Sequence, residues 1–330
     1  MPQKNYIDII QGFSDRTVGV IGDMMLDIYI MGRPARLSRE APVLVVEFEE
    51  EEIRPGGAAN AVNNIRSLGA KSLAVGVVGE DEYGVKLRES LLLNGVNVEG
   101  LFAGDKYNTI TKTRVLAGDI HTVKQQVLRI DRGKTTRPDA HTSHAVAEFL
   151  KSSRSGVDCW IVSDYGYGLI HGEIENGLGD LAQETPVVAD SRYNVKEFSR
   201  ITAVTPNEAE AMNFGRYYLK DETDLFVIGR QMLDILFLKC ALITRSNEGM
   251  ILFERDKDPV EIPVVGPKEI VDVSGAGDTV VAAFGLSLAG GATPEQAARI
   301  ANCAASVVVM KSGTATCSQE ELLTAAGNYL

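Results

Sequence analysis

Short runs of apolar, often β-branched residues recur along the chain: TVGVIGD (17–23), SLAVGVVG (72–79), CWIVSD (159–164), PVVAD (186–190), TAVTP (202–206) and CALITRS (240–246). Between them lie longer stretches, such as 58–68 and 221–237, with apolar residues at helical spacing. A strand, a helix and a second strand in that order require a crossover, so the alternation predicts βαβ units around a mainly parallel sheet. The fold class is therefore α/β. Several runs end on or just before polar residues, Asp23, Asp164, Asp190, Asn207 and Arg245. Open α/β sheets hold ligands at the carboxyl ends of their strands, so function is expected along that edge.

Two segments, 28–54 and 101–130, interrupt the alternation with apolar/polar strand patterns and no helix between them. They predict a small second sheet inserted early in the chain, suited to closing over a ligand as a lid. No repeat or low-complexity linker appears, so residues 1–330 read as one unit. At 330 residues and 45% hydrophobic content the chain can bury a large core. Its four cysteines, Cys159, Cys240, Cys303 and Cys317, lack CxxC or zinc-finger spacing and read as reduced core thiols. The start, MPQKNYIDIIQGF, has no basic-then-apolar leader, and no apolar run is long enough to span a bilayer, so a cytoplasmic protein without a membrane partner is expected. A formal net charge of -12 and the acidic run Glu49 to Glu52 disfavour nucleic acid, which needs clustered cations.

The motif richest in chemistry is VDVSGAGDTVVAAF (271–284). Gly275 and Gly277 allow a tight turn or close ligand approach, and a helix starting near Asp278 would aim free amides back at it. That is an anion site. Amides of Ala276, Gly277 and Asp278 could stabilise a transferring phosphoryl group while the Asp278 carboxylate takes a proton from an acceptor hydroxyl. The competing reading is a capped turn before a buried helix. The helix end should also lower the Asp278 pKa and make it a weak base.

Three further motifs are weaker alone. In RPGGAANAVNNIRSLGA (54–70), Pro55, Gly56 and Gly57 read as a turn and Asn60 as a first-turn residue that caps the helix or bonds a polyol. In GDMMLD (22–27), Asp23 and Asp27 could share one side of a turn or short helix and accept sugar hydroxyls, or be solvated loop carboxylates. In TPNEAE (205–210), Asn207 and Glu210 could be ordinary capping groups or help hold Mg²⁺ with a nucleotide. No GxxxxGK[ST] occurs and no GxGxxG follows the first strand, so P-loop and Rossmann readings fall away. His141 and His144 read as a surface helix start and Trp160 as core.

The ordered set GDMMLD, GGAAN, TPNEAE, ITRSNEG and DVSGAGD resembles the ribokinase-like (PfkB) family of carbohydrate kinases over nearly the whole chain. The resemblance implies a three-layer α/β/α sandwich with a β-sheet lid that commonly clasps a homodimer. By position it makes Asp278 the catalytic base and Ala276 to Asp278 the anion hole, counts Gly275 with the same catalytic turn, and gives the sugar to Asp27, Gly56, Gly57 and Asn60. It implies ATP and Mg²⁺, with Asn207 and Glu210 organising metal and phosphate, Thr244, Arg245 and Gly249 along the nucleotide, and Asn302 near adenine. A monovalent cation such as K⁺ would lie by Asp272, Ser274 and Gly313. Within the family, GRPARLSREAPVLVVE, TITKTRVLA, QQVLRID and KSGTATCS look most like the heptose 7-phosphate kinases, which phosphorylate an anomeric hydroxyl. A kinase without the nucleotidyltransferase domain fused to some of them is the expectation. Two positions depart from their pattern: Tyr167 stands where they carry a lysine, and Ser191-Arg192 stand for Pro-Lys. Arg192 keeps a charge that can reach phosphate and is expected on the ATP side, and Lys112, Arg114 and Arg129 of the lid could replace the lost lysine, Arg114 and Arg129 as substrate-binding residues. A nucleoside kinase and a non-catalytic sugar or nucleotide sensor are the alternatives.

Overall fold

The computed structural model describes residues 5–104, 107–119, 124–134, 136–267 and 270–330. Its strands, in chain order, are β1 (Thr17–Gly22), β2 (Met24–Leu37), β3 (Leu44–Gly57), β4 (Lys71–Gly79), β5 (Asn97–Gly104), β6 (Ile110–Ala117), β7 (Gln125–Arg132), β8 (Cys159–Asp164), β9 (Val187–Ser191), β10 (Ala203–Val204), β11 (Cys240–Thr244), β12 (Met250–Glu254) and β13 (Val260–Ile262). The α-helices are α1 (Tyr6–Gln11), α2 (Ala58–Ser67), α3 (Glu82–Leu93), α4 (Ala140–Ser153), α5 (Glu173–Leu181), α6 (Glu208–Tyr218), α7 (Leu225–Ile235), α8 (Ala276–Ala289), α9 (Pro294–Val308) and α10 (Gln319–Tyr329).

Nine strands form one sheet in the order β13-β12-β11-β10-β9-β8-β1-β4-β5, parallel except for the antiparallel β12 and β13. Alternate residues of each strand feed opposite faces, as a pleated strand requires. Val18, Val20, Cys159 and Ile161 pack toward α1, α2, α3, α8, α9 and α10, whereas Trp160, Val162, Val187 and Ala189 pack toward α4, α5, α6 and α7. This is the predicted three-layer sandwich. The chain leaves β1 toward β4 and β5 on one side and returns through β8 on the other, which puts the topological switch point at the carboxyl ends of β1 and β8.

A second sheet of order β3-β2-β6-β7 grows directly out of β1, because β2 starts one residue beyond Asp23. It pairs β2 with β6 in parallel and β2 with β3 antiparallel. The predicted lid ranges need correction. β2 and β3 run beyond 28–54 to Met24 and Gly57, and residues 101–104 belong to β5, an edge strand of the main sheet. Residues 105–106 and 120–123 of the second range lie outside the described residues. GDMMLD is not a turn or short helix, since Asp27 sits in β2, and Pro55-Gly56-Gly57 end a strand rather than turn the chain. The apolar residues Met24, Met25 and Leu26 are all fully buried, so both faces of β2 lie in the core there and the alternation that marks a half-exposed strand is lost.

All four cysteines are free and buried, and Trp160 is core. Glu49 to Glu51 lie exposed on β3, as expected of a solvated acidic run. Among the described residues no helix is long and apolar enough to cross a membrane.

Candidate active site

α8 begins at Ala276, two residues before Asp278, and Gly275 is its cap in the left-handed region at φ 78°. A side chain there would be strained, and a Cβ would lie 2.7 Å from the Asn60 amide nitrogen. Glycine therefore lets the turn before α8 close against α2. The Ala276 amide donates to the Val273 carbonyl at 3.2 Å, so the expected three-amide anion hole is narrower than the motif suggested. Among the described residues, the Gly277 and Asp278 amides have no acceptor, and Gly277 is exposed. A pair of open amides at a helix start attracts an anion.

Asp278 is 3% exposed because the helix behind it, from Thr279 to Ser287, is buried throughout. Two donors hold its carboxylate: Asn60 Nδ2 to Oδ2 at 2.8 Å and the Tyr165 hydroxyl to Oδ1 at 2.8 Å. Asn60 is itself fixed from behind, since Asn64 donates to its backbone and side-chain oxygens at 3.0 and 3.4 Å while Thr279 donates to Asn64 at 2.9 Å. Burial raises the Asp278 pKa to about 6, the Asn60 and Tyr165 hydrogen bonds pull against it, and Asp27 adds a smaller upward push. This reverses the expected direction. A helix end acts on a carboxylate through partial charges, and loss of water outweighs it when the group is enclosed.

Asp27 faces the same centre from β2. It accepts from Arg114 Nη1 of β6 at 2.6 Å, so two of the expected substrate-binding residues form an ion pair whose carboxylate is buried and whose guanidinium is partly exposed. A Cβ on Gly56, which pairs with Met25, would stand 2.6 Å from Asp27 Oδ2, so glycine leaves clearance for that carboxylate. Beside this centre lies a cavity of about 690 Å³ whose lining includes Lys112, Arg129, Asp131, Tyr165, Tyr167, Arg192 and Tyr193. Its three cations come from β6, β7 and the loop after β9. Arg129 is held by Asp131 through two bonds of 2.7 Å, while Arg192 has no carboxylate partner among the described residues. Lys112 sits 4.6 Å from the Tyr165 ring centroid, and burial lowers its pKa.

On the other side, Asn207 and Glu210 form the reciprocal capping box of α6, with bonds of 2.8 and 3.0 Å. Asp190, one residue before the end of β9, has its pKa held well above the carboxylate range by burial first and then by Glu210 and Asp278. Burial also raises Glu210. Repelled, half-enclosed carboxylates of this kind suit a cation held partly through water and phosphate. Among the described residues no three His, Cys, Asp or Glu side chains form a self-sufficient metal cluster.

The remaining predicted residues lie in separate surroundings. Asp272 accepts from the Ser274 and Gly313 amides, both at 2.9 Å; burial pushes its pKa up, but those amides prevail and hold it below the usual range. Those three residues are thus brought together. Thr244 bridges to Asn207, whereas Arg245 spends its guanidinium on Glu248 and Glu261, and Gly249 takes φ 86° in the turn into β12. Asn302 donates to the Pro263 carbonyl at 2.8 Å. The sequence reading missed Tyr165, Asn64 and Asp190 as neighbours in and around the Asp278 site. Asp190 and Tyr165 carried a signal, because each stands at or just after the carboxyl end of a parallel strand. His144 also finds an acidic neighbour, Glu173 of α5 at 3.0 Å, that local spacing did not predict.

A three-layer α/β/α sandwich with a β-sheet lid, open amides at a helix start and an enclosed carboxylate beside them suit phosphoryl transfer to a hydroxyl. The chain belongs to the pfkB family of carbohydrate kinases, whose family model matches residues 15–159 and 177–321. Among curated relatives, "Bifunctional protein HldE" of Citrifermentans bemidjiense is 38% identical over 326 residues, covering 97% of this chain and 66% of that protein. The chain therefore spans just under two thirds of that relative. Among solved structures, phosphofructokinase-2 from Escherichia coli in complex with potassium superposes at TM-score 0.76 and 18% identity, covering 95% of this chain and 99% of that one. Arabidopsis thaliana ribokinase complexed with ribose and ATP gives 0.72 and 18%, covering 94% and 98%. Those two likenesses establish the ribokinase-like fold.

Proposed function

We propose that the protein transfers the γ-phosphate of ATP to the anomeric hydroxyl of a heptose 7-phosphate. The observation that carries this reading is the enclosed Asp278 carboxylate, with two open amides at its own helix start and a cavity containing Lys112, Arg129 and Arg192 beside it. With Asp131 offsetting one of them, the three cations leave the cavity lining positive, which suits a phosphate monoester on the acceptor better than a neutral sugar. Arg192 lines the same cavity as Tyr167 and, unlike Arg129, has no carboxylate partner among the described residues, so it is a candidate to replace the lysine that Tyr167 displaces.

In the reaction, Asp278 accepts a hydrogen bond from the acceptor hydroxyl and takes its proton as the oxygen attacks. The Asn60 and Tyr165 bonds keep the carboxylate aimed, and each carboxylate oxygen retains a lone pair for the substrate. The Gly277 and Asp278 amides stabilise charge on the transferring phosphoryl oxygens. Lys112, Arg129 and Arg192 grip the distal phosphate of the acceptor. Glu210, Asn207 and Asp190 would hold Mg²⁺ through water and phosphate, and the ion would supply charge neutralisation along the polyphosphate. Asp272, Ser274 and Gly313 would flank a K⁺ ion next to the turn that leads into α8. The lid sheet exposes Leu37 at the end of β2, Leu44 and Phe48 on the edge strand β3, and Val127, Leu128 and Ile130 on the edge strand β7, and we assign this apolar surface to a homodimer.

ATP turnover over a panel of sugars, sugar phosphates and nucleosides tests the reading. Heptose 7-phosphate is expected to give the highest kcat/KM, and the unphosphorylated heptose a value lower by about 10²-fold or more. Preference for a nucleoside or a neutral sugar would overturn it, and another sugar phosphate at the top would keep the kinase and change the acceptor.

A further inference from the structure

The turn after β8 is pinned by more than its own backbone. Tyr165 and Tyr167 donate their amides to Asp23 Oδ2 at 2.8 and 3.1 Å, and Gly166 donates to Asp164 Oδ1 at 2.9 Å. Three consecutive amides thus rest on two buried carboxylates at the switch point. Asp164 is braced in turn by the Ser191 hydroxyl at 2.6 Å and Asn194 Nδ2 at 3.2 Å. Hydrogen bonds to carboxylates are strong, so the turn has little freedom to drift.

This turn delivers one side chain to the centre. The Tyr165 hydroxyl donates to Asp278 Oδ1 at 2.8 Å, and the face of the same ring carries Lys112 Nζ at 4.6 Å. A tyrosine kept for packing alone has no need to aim its hydroxyl at the enclosed carboxylate. Burial first, and Asp278 second, hold the phenol well above its ordinary pKa, so it remains a donor across the working range. We propose that Tyr165 is a positioning residue for the base: its hydroxyl fixes the Asp278 carboxylate while its ring seats Lys112, so one side chain holds base and lid cation in register. The inference rests on the assignment of Asp278 as the base.

The groups facing Asp278 are Asn60 of α2, Tyr165 after β8, Asp27 of β2, Lys112 of β6 and Asp190 of β9. Tyr165→Phe changes one of them and keeps the ring beneath Lys112. The titration of the Asp278 carboxyl carbon, followed by ¹³C NMR in protein labelled at aspartate and assigned with Asp278→Asn, is expected to move to higher pH in Tyr165→Phe. With heptose 7-phosphate, kcat is expected to fall about tenfold while KM stays within about twofold, as for loss of a hydrogen bond to a charged group. Tyr165→Leu, which also removes the ring, is expected to raise KM as well. An unmoved Asp278 titration in Tyr165→Phe would overturn the inference, and so would a kcat equal to the parent's. The two readings separate cleanly: a fully active Asp278→Asn removes the base itself, whereas an inactive Asp278→Asn beside a parent-like Tyr165→Phe removes only the role of Tyr165.

Discussion

Asp278 is subject to opposing influences. The start of α8 and two hydrogen bonds favour its ionised form, while enclosure by α2, α8 and the turn at Tyr165 favours the neutral one, and enclosure wins. A base must be ionised to accept a proton, so a raised pKa makes it stronger yet withdraws it sooner on acidification. The Asp278 carboxyl is expected to titrate at about 6, read by carbon NMR, and turnover is expected to fall as pH drops through that value. A titration below 4 would mean the helix end dominates. Asp278 was legible in the sequence because GAGD combines turn glycines with a carboxylate. Its surroundings were not, since Tyr165 and Asn60 lie 113 and 218 residues away from it and only the folded sheet brings them together.

Among the elements, α8 carries the most consequence. Its start is set by Gly275, where the left-handed backbone and the nearby Asn60 amide leave no room for a side chain. Gly275→Ala is expected to cost about 1–2 kcal/mol from the backbone alone, visible as a lowered Tm, and to reduce turnover further by displacing Asn60 from Asp278. Unchanged Tm and turnover would show that the turn relaxes without loss. The main strands and α8 were readable because strands of a parallel sheet are apolar runs and helices follow them. β2 and β3 were harder. They pass from a core where both faces are buried to a lid where β3 is exposed from Glu47 to Glu51, so no single periodicity spans them. Pro55-Gly56-Gly57 looked like a turn for a related reason: Gly56 is present for clearance beside Asp27, which only the pairing of β2 with β3 reveals.

In the molecule as a whole, the lid rises from the switch point and brings Lys112, Arg114 and Arg129 over it, so under the proposed function substrate grip and lid position would be coupled through β6 and β7. Its outer residues Leu37 and Phe48 are 68% and 67% exposed, which suits a second copy better than solvent. Sedimentation is expected to give a dimer that Phe48→Glu converts to monomer; a monomeric parent would remove the clasp. The measurement that bears most directly on the kinase reading is ATP turnover by Asp278→Asn beside the parent, with heptose 7-phosphate as acceptor and ATP binding measured in parallel. Loss of kcat by roughly 10²–10⁴-fold with ATP affinity retained is the predicted result, and a variant that turns over at the parent rate would contradict the assignment of Asp278 as the base.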